Sequence, residues 1–392
     1  MRSFRIGRIF GIPIQLDTTL LLVLPVFAWI IGSQVGVSAD QLNRVFGLQF
    51  DTAALSAGST PWILGGAAAI GLFVAVLLHE LGHSVVAMRF GFPIESITLW
   101  ILGGIAQLND QPEDWRQEML IAIAGPVVSI ALGVLAWGAI QVIPTSLDML
   151  QFVVAYLSLM NFVLAGFNLI PAFPMDGGRV LRAFLARNRP FAQATQRAAE
   201  VGKLFAFLLA LFGIFYNLFL ILIAFFIYMG ASGEAQRVTM NAAFEGVTVR
   251  DIMTPASELK TVGPETTLSE LTERMFRERH TGYPVVENGR PVGMVTLEDA
   301  QSVREVERDA YNVADVMSDD LATIAPSSSA VEAFETMQSA GIGRLLVMDG
   351  DELVGLISRT DLLTAFNIIN STGRIADSRM PASDPTSTLR QP

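Results

Sequence analysis

His79, Glu80 and His83, in the segment Leu77-Leu78-His79-Glu80-Leu81-Gly82-His83, are the side chains of this sequence best placed to do chemistry. Between Trp62 and Ala87 they are the only ionisable groups in an otherwise apolar run. On a helix, His79 and His83 lie one turn apart on one face, so their imidazoles can share a metal ion. Glu80, next to the first of them, stands where a hydrolytic metal centre keeps its general base. The plainer alternative is two buried helix histidines satisfied by local hydrogen bonds. Ionisable groups at membrane depth are costly, however, and mark function by default. All the histidines of the first 279 residues fall within this pentapeptide.

Two imidazoles leave a zinc ion short of a third protein ligand and an open water position. The chain has no cysteine, so the third ligand must be another imidazole or a carboxylate. Asp176 is the candidate, in Asn168-Leu169-Ile170-Pro171-Ala172-Phe173-Pro174-Met175-Asp176-Gly177-Gly178-Arg179. Pro171 and Pro174 stop a regular helix, and Gly177-Gly178 let the backbone turn. Irregular backbone at membrane depth is tolerated where it lines a polar cavity. The alternative for this segment is an ordinary loop leaving the membrane, with Asp176 solvated.

The elements that must position these residues follow from composition. Of the 392 residues, 52% are hydrophobic and 16% charged, with mean hydropathy +0.48. That is the profile of a membrane protein with room for more than one domain. Residues 1–240 hold 13 basic and 13 acidic side chains, whereas 241–392 hold 13 and 24 and so carry the whole net charge of −11. An apolar half is joined to an acidic soluble half, whose net negative charge argues against nucleic-acid binding.

Apolar runs at about 18–35, 62–90, 117–142 and 149–170 are each long enough to cross ~30 Å of hydrocarbon. The uncharged stretch Leu204–Ser232 is too long for one upright helix, and Gly213 with Tyr216-Asn217 offers a turn that splits it into 194–214 and 217–232. Apolar residues at period two over 4–16 predict a strand before the first span. The β-formers of 94–108, broken by Gly103-Gly104, predict a strand or hairpin there. Arg2, Arg5 and Arg8 precede the first span without a cleavage-type site, so that span is expected to be retained. Six spans put both termini on one side of the membrane. Every basic residue of the first half except Arg44 falls on that side, which by the positive-inside rule is the cytoplasm.

The soluble half is an internal duplication. Val249-Arg250-Asp251-Ile252-Met253 recurs 64 residues on as Val313-Ala314-Asp315-Val316-Met317, and Gly293–Asp299 recurs 62 residues on as Gly355–Asp361. The tail from Ser371 is small, polar and proline-containing, and is expected to be disordered.

Taken together, these motifs give the chain a family likeness. It resembles the site-2 protease family of intramembrane zinc metalloproteases, the peptidase family of the sporulation-factor processing enzymes, in its branch with C-terminal cystathionine-β-synthase (CBS) domains. The likeness covers residues 1 to about 368. It rests on HExxH followed about 90 residues later by N-x-x-P-x-x-P-x-D-G, with Gly125-Pro126-Val127-Val128-Ser129 similar to a third family motif. It implies a multi-pass α-helical membrane protein with six transmembrane helices and small membrane-associated β elements, plus a cytoplasmic α/β CBS-domain pair. The domains would be 1–240 for the metalloprotease, 246–305 and 312–370 for the CBS domains, and 371–392 for the tail. His79, His83 and Asp176 would bind one Zn2+ per chain, Glu80 would be the catalytic base, and Asn168 would position substrate or the developing oxyanion.

The resemblance further implies regulated intramembrane proteolysis in the cell membrane, with a transmembrane segment of another protein as substrate. A helical substrate hides its carbonyls in its own hydrogen bonds, so it must unwind, and an edge strand at Ile94–Leu108 could hold it by β-augmentation. The same element could simply be a hairpin packed on the core. In the CBS pair, Thr296 with Asp299 and Ser358 with Asp361 match positions that meet an adenine nucleotide. The two carboxylates would serve equally well as helix N-caps. Homodimerisation through the CBS domains is a further expectation. Two other functions compete: a CBS-regulated transporter or channel, and a catalytically silent homologue. An intact Glu80 argues against silence, and the Asp176 motif without inverted repeats argues against transport.

Overall fold

The structure, a computed structural model, describes residues 3–100, 103–108, 112 and 114–372. Apart from Ser371 and Thr372, the tail expected to be disordered lies outside these residues. The chain divides into two compact units, Met1–Val238 and Thr239–Pro392.

The first unit opens with strands β1 (Ser3–Ile9) and β2 (Ile12–Asp17). The period-two pattern of 4–16 is therefore a hairpin and not one strand. The chain reverses at Phe10 and Gly11, both at positive φ, and β1 pairs antiparallel with β2. Asp17 then caps α1 (Thr18–Ser33), accepting from the Thr19 amide at 2.9 Å. The span expected at 18–35 is also altered. Helix α1 gives way at Gln34 to α2 (Val35–Phe46), bent from it by 66°. The cause lies in α2, where Val35, Ala39 and Leu42 recur at helical spacing and bury against Leu64, Ile140 and Phe152.

After the short α3 (Thr52–Leu55) comes α4 (Thr60–Arg89), which carries both histidines. Strands β3 (Ile94–Trp100) and β4 (Gly103–Leu108) form the hairpin expected at 94–108. The four strands lie in the order β1-β2-β3-β4, with β2 and β3 parallel because α1–α4 connect them. Ile12, Ile14 and Ile97 pack on Leu81 of α4, so the sheet is fastened to the histidine helix. Next come α5 (Trp115–Ile140), α6 (Asp148–Asn168), α7 (Asp176–Ala186), α8 (Phe191–Tyr216) and α9 (Phe219–Ala243). The break between α8 and α9 falls at Asn217, whose side chain accepts from the Phe219 amide at 2.9 Å. Among the described residues five helices are long and apolar enough to cross a membrane, six if the bent α1–α2 pair is one span.

The second unit holds α10 (Val249–Ile252), β5 (Thr254–Pro255), α11 (Leu268–Glu278), β6 (Gly282–Glu287), β7 (Arg290–Thr296) and α12 (Leu297–Gln301). These are followed by β8 (Thr323–Ile324), α13 (Ala330–Ser339), β9 (Arg344–Asp349), β10 (Glu352–Ser358) and α14 (Arg359–Thr372). The two repeats exchange their opening segments. Phe244 and Val249 are buried with Ile324–Ile369 of the second repeat, and β5 pairs with β10. Val313, from the start of the second repeat, is buried with Val262–Ala300 of the first. Neither apolar core is complete without the other repeat's first turn.

Candidate metal centre

His79 and His83 project from the late part of α4 and are 3% and 5% exposed. Asp176 is the first residue of α7 and is 9% exposed. It is brought there by the buried loop Ala172, Phe173 and Met175, stopped from continuing α6 by Pro171 and Pro174. His79 Nε2 stands 3.1 Å from Asp176 Oδ2, His83 Nε2 stands 3.2 Å from the same oxygen, and the two Nε2 atoms are 3.2 Å apart.

The far side of each ring is held by α5. His83 Nδ1 lies 2.7 Å from the Ile121 carbonyl, and His79 Nδ1 lies 2.9 Å from Ser129 Oγ. A carbonyl only accepts, so Nδ1 of His83 carries the proton and its Nε2 presents a lone pair. The Nε2 lone pair of His83, the Nε2 of His79 and a carboxylate oxygen therefore converge on one point, an arrangement suited to a cation.

The geometry fits zinc. Ligand atoms at ~2.0–2.1 Å from a tetrahedral centre stand ~3.3–3.4 Å from one another, close to the observed triangle. Space is kept for the ion by Gly125, midway between Ile121 and Ser129 on α5: a Cβ there would run into the Nε2 atoms of both histidines. The donor set of two imidazoles and one carboxylate also suits Zn2+ and leaves one tetrahedral position open.

Glu80 is half-buried under the β hairpin, where a Cβ at Gly104 would overlap its Cγ. Gly104 thus allows β4 to pass directly over the carboxylate side chain. Asn168 closes α6 and is half-buried, its amide donating to the Leu164 carbonyl at 3.0 Å. The structure therefore gathers His79, His83 and Asp176 at one point with Glu80 next in sequence to His79, while Asn168 is engaged within its own helix.

In the second unit the predicted pairs form capping boxes, with Thr296 and Ser358 at the N-cap and the two aspartates three residues on, not at the N-cap itself. Asp299 Oδ2 accepts from the Thr296 amide and hydroxyl, both at 2.7 Å, at the start of α12. Asp361 Oδ2 accepts from the Ser358 amide at 2.9 Å and its hydroxyl at 2.7 Å. Sequence reasoning quoted Ser129 without giving it a role, and missed Ile121 altogether. The signal was available in the spacing of residues 121, 125 and 129, which repeats every four positions along one helix face.

Comparison with known proteins follows the same division. The sequence pattern of Peptidase family M50 matches residues 67–146 and 144–211, and that of the CBS domain matches 249–304 and 313–368. The chain is 36% identical over 376 residues to a zinc metalloprotease of Methanocaldococcus jannaschii, covering 96% of this chain and 99% of that one. It is 28% identical over 380 residues to Rip3 of Mycobacterium tuberculosis, covering 93% and 92%. Among solved structures, a site-2 protease from Methanocaldococcus jannaschii is 36% identical over 60% of this chain and 95% of that one, with a TM-score of 0.40.

Proposed function

Given that this chain belongs to Peptidase family M50 and is an intramembrane zinc metalloprotease of the site-2 type with a CBS pair, we propose that His79, His83 and Asp176 hold its zinc and that Glu80 is its general base. The observation that carries this reading is the triangle of 3.1–3.2 Å between three donor atoms, with the outer imidazole nitrogens already engaged. When bound, zinc supplies the Lewis acidity that makes water nucleophilic near pH 7. Glu80 takes the proton of the attacking water and returns it to the leaving amine. Ile121 and Ser129 hold the rings in one orientation, so no reorganisation is needed at that moment.

The substrate is a transmembrane segment of another protein, delivered unwound. Strand β4 is one of the two outer strands of its sheet and the one that runs over Glu80, so a peptide added along it would be extended, with its carbonyls exposed near that carboxylate. Asn168 serves in this scheme as a polar group for positioning substrate. All the basic residues of the first unit except Arg44 fall on the N-terminal side of the proposed spans, which supports cytoplasmic termini. The break at Val238 and the matched repeats 249–304 and 313–368 support domains at 1–240, 246–305 and 312–370. Reporter fusions at Gly233 and at the C-terminus test this orientation, and an external signal at Gly233 would overturn it.

For the CBS pair we assign an adenine nucleotide to the Thr296/Asp299 and Ser358/Asp361 positions, and a homodimer contact to the same unit. The support is resemblance: in this structure one oxygen of each carboxylate, Oδ2, is already engaged at a helix start. Calorimetric titration of the whole detergent-solubilised protein with ATP, ADP and AMP tests the first assignment, and its mass in solution tests the second.

The decisive experiment for the protease reading combines metal analysis with cleavage of a co-expressed single-span protein, with and without Glu80→Gln. One zinc per chain in both forms, with cleavage only by the unaltered enzyme, is the expected result. Cleavage by Glu80→Gln at the unaltered rate would remove Glu80 as the base.

A further inference from the structure

Asp176 is the one donor not carried by α4, and its position is set by contacts on both sides of it in sequence. Two residues before it, Pro174 lies against α9: a Cβ at Gly230 would stand 2.6 Å from the Pro174 Cδ. Six residues after it, Arg182 of α7 pairs with Glu234, also on α9. Gly230 and Glu234 are one turn apart on the same face of that helix. On the same helix Ile227 and Ala231 are fully buried against the Asp176 loop, in clusters with Ala172 and Met175 and with Phe173 respectively.

Arg182 is itself an unusual residue for this depth. It is 3% exposed, donates to Glu118 Oε1 of α5 at 2.7 Å, and lies over the rings of Phe173 and Phe191 at 5.1 and 4.7 Å. Glu118 is 1% exposed, and its Oε2 has no partner among the described residues. A buried guanidinium shared by two carboxylates is a poor source of stability compared with apolar packing, and its best-attested use is to specify one arrangement over others.

We infer that the Gly230–Glu234 face of α9, acting through Pro174 and Arg182, is the positioning device for Asp176. Helix α9 bears on the loop before the carboxylate and on the helix after it, so a shift of α9 moves Asp176 relative to the two histidines. Helix α9 itself runs on to Ala243, past the end of the first unit at Val238. The inference rests on Asp176 being a zinc ligand.

The test uses full-length protein and three substitutions on α9. Gly230→Ala drives a methyl group into Pro174, whereas Gly233→Ala, on the same helix, meets nothing within 4 Å and serves as the control. Glu234→Gln removes one arm of the cluster and keeps the Glu118–Arg182 pair. The readouts are the rate of zinc loss to a chelator, the visible absorption of the cobalt(II)-substituted protein, and the melting temperature. Gly230→Ala and Glu234→Gln should lose zinc on the order of tenfold faster and shift the cobalt bands, with Gly233→Ala matching the unaltered protein. Should Gly230→Ala lower the melting temperature, Glu234→Gln decides the matter alone. Unaltered zinc release and cobalt spectra in Glu234→Gln would overturn the inference. Asp176→Asn, measured alongside, separates the two levels: if it keeps zinc, the ligand assignment fails, and if only it loses zinc, the positioning role fails.

Discussion

At the metal centre, the Asp176 carboxylate meets an imidazole from 97 residues earlier in the chain, whereas Asp299 and Asp361 each meet a hydroxyl three residues away. Both arrangements are buried or half-buried; the first was singled out in the sequence by residue type and spacing, the second by family resemblance. They differ in what remains unsatisfied. Around Asp176 the outer nitrogens of both rings are already engaged, and the two inner nitrogens and a carboxylate oxygen crowd one point, an arrangement that a metal ion satisfies. Around Asp299 and Asp361 the amide and hydroxyl donors pair reciprocally with the carboxylate, so the helix start is complete as it stands. A cluster that closes on itself is good evidence of local structure. A cluster that stays open after folding is evidence of a ligand.

That contrast can be tested at each end. The largest effect is expected from Glu80→Gln, which keeps the shape of the base but cannot shuttle a proton. Peptide cleavage should fall by roughly 10²–10⁴-fold, with zinc content and melting temperature unaltered. Loss of zinc in this variant would instead make Glu80 part of the metal's support. Next, Ser129→Ala removes the group that orients His79. Zinc affinity, measured by chelator competition, should drop about 10–100-fold, and unaltered affinity would show the ring to be held by packing alone.

In the second unit, Asp299→Ala and Asp361→Ala should each destabilise by roughly 0.5–1 kcal/mol, as loss of an acidic group at a helix N-terminus does. Thermal unfolding measures this cost. If either variant also abolishes nucleotide binding seen in the unaltered protein, the two kinds of site are less distinct than their hydrogen bonding suggests. The smallest effect concerns pH. Burial and the hydrogen bond donated to Glu278 at 2.8 Å push the Tyr283 hydroxyl up to about 12, from about 10 in an unfolded chain. A raised value means that this contribution is fully present below pH 10 and is lost as pH rises towards 12. Tyr283→Phe should remove that part of the alkaline destabilisation, and identical alkaline unfolding profiles for the two proteins would refute it.

Much of this was legible in the sequence because it is written locally. The i, i+4 histidines, the proline-broken segment before Asp176 and the turn at Tyr216-Asn217 each depend on a few adjacent residues, and each stands where spacing predicts. The bend at Gln34 was not legible. Hydropathy sees apolar residues through Val35, but the direction of α2 is fixed by Val35, Ala39 and Leu42 docking on Phe152 and Ile140, more than 90 residues away. The hairpin at Phe10-Gly11 was hidden because period-two alternation runs on across a two-residue turn. The duplicated segments show two repeats but not that each repeat's first turn fills the other's core, since the same apolar residues would suit either.

The sequence by itself determined which groups could meet a metal: two imidazoles on one helix face, a base beside them, and a carboxylate freed from helix by two prolines. Only the tertiary structure decided that they meet, and on what support. The Nδ1 partners on α5, the space at Gly125, and the clamp of Pro174 and Arg182 on α9 are contacts between segments distant in sequence. Spacing along the chain constrains neighbours within a turn or two of helix, while close approach between helices depends on how whole faces pack, and that is not encoded in any one segment.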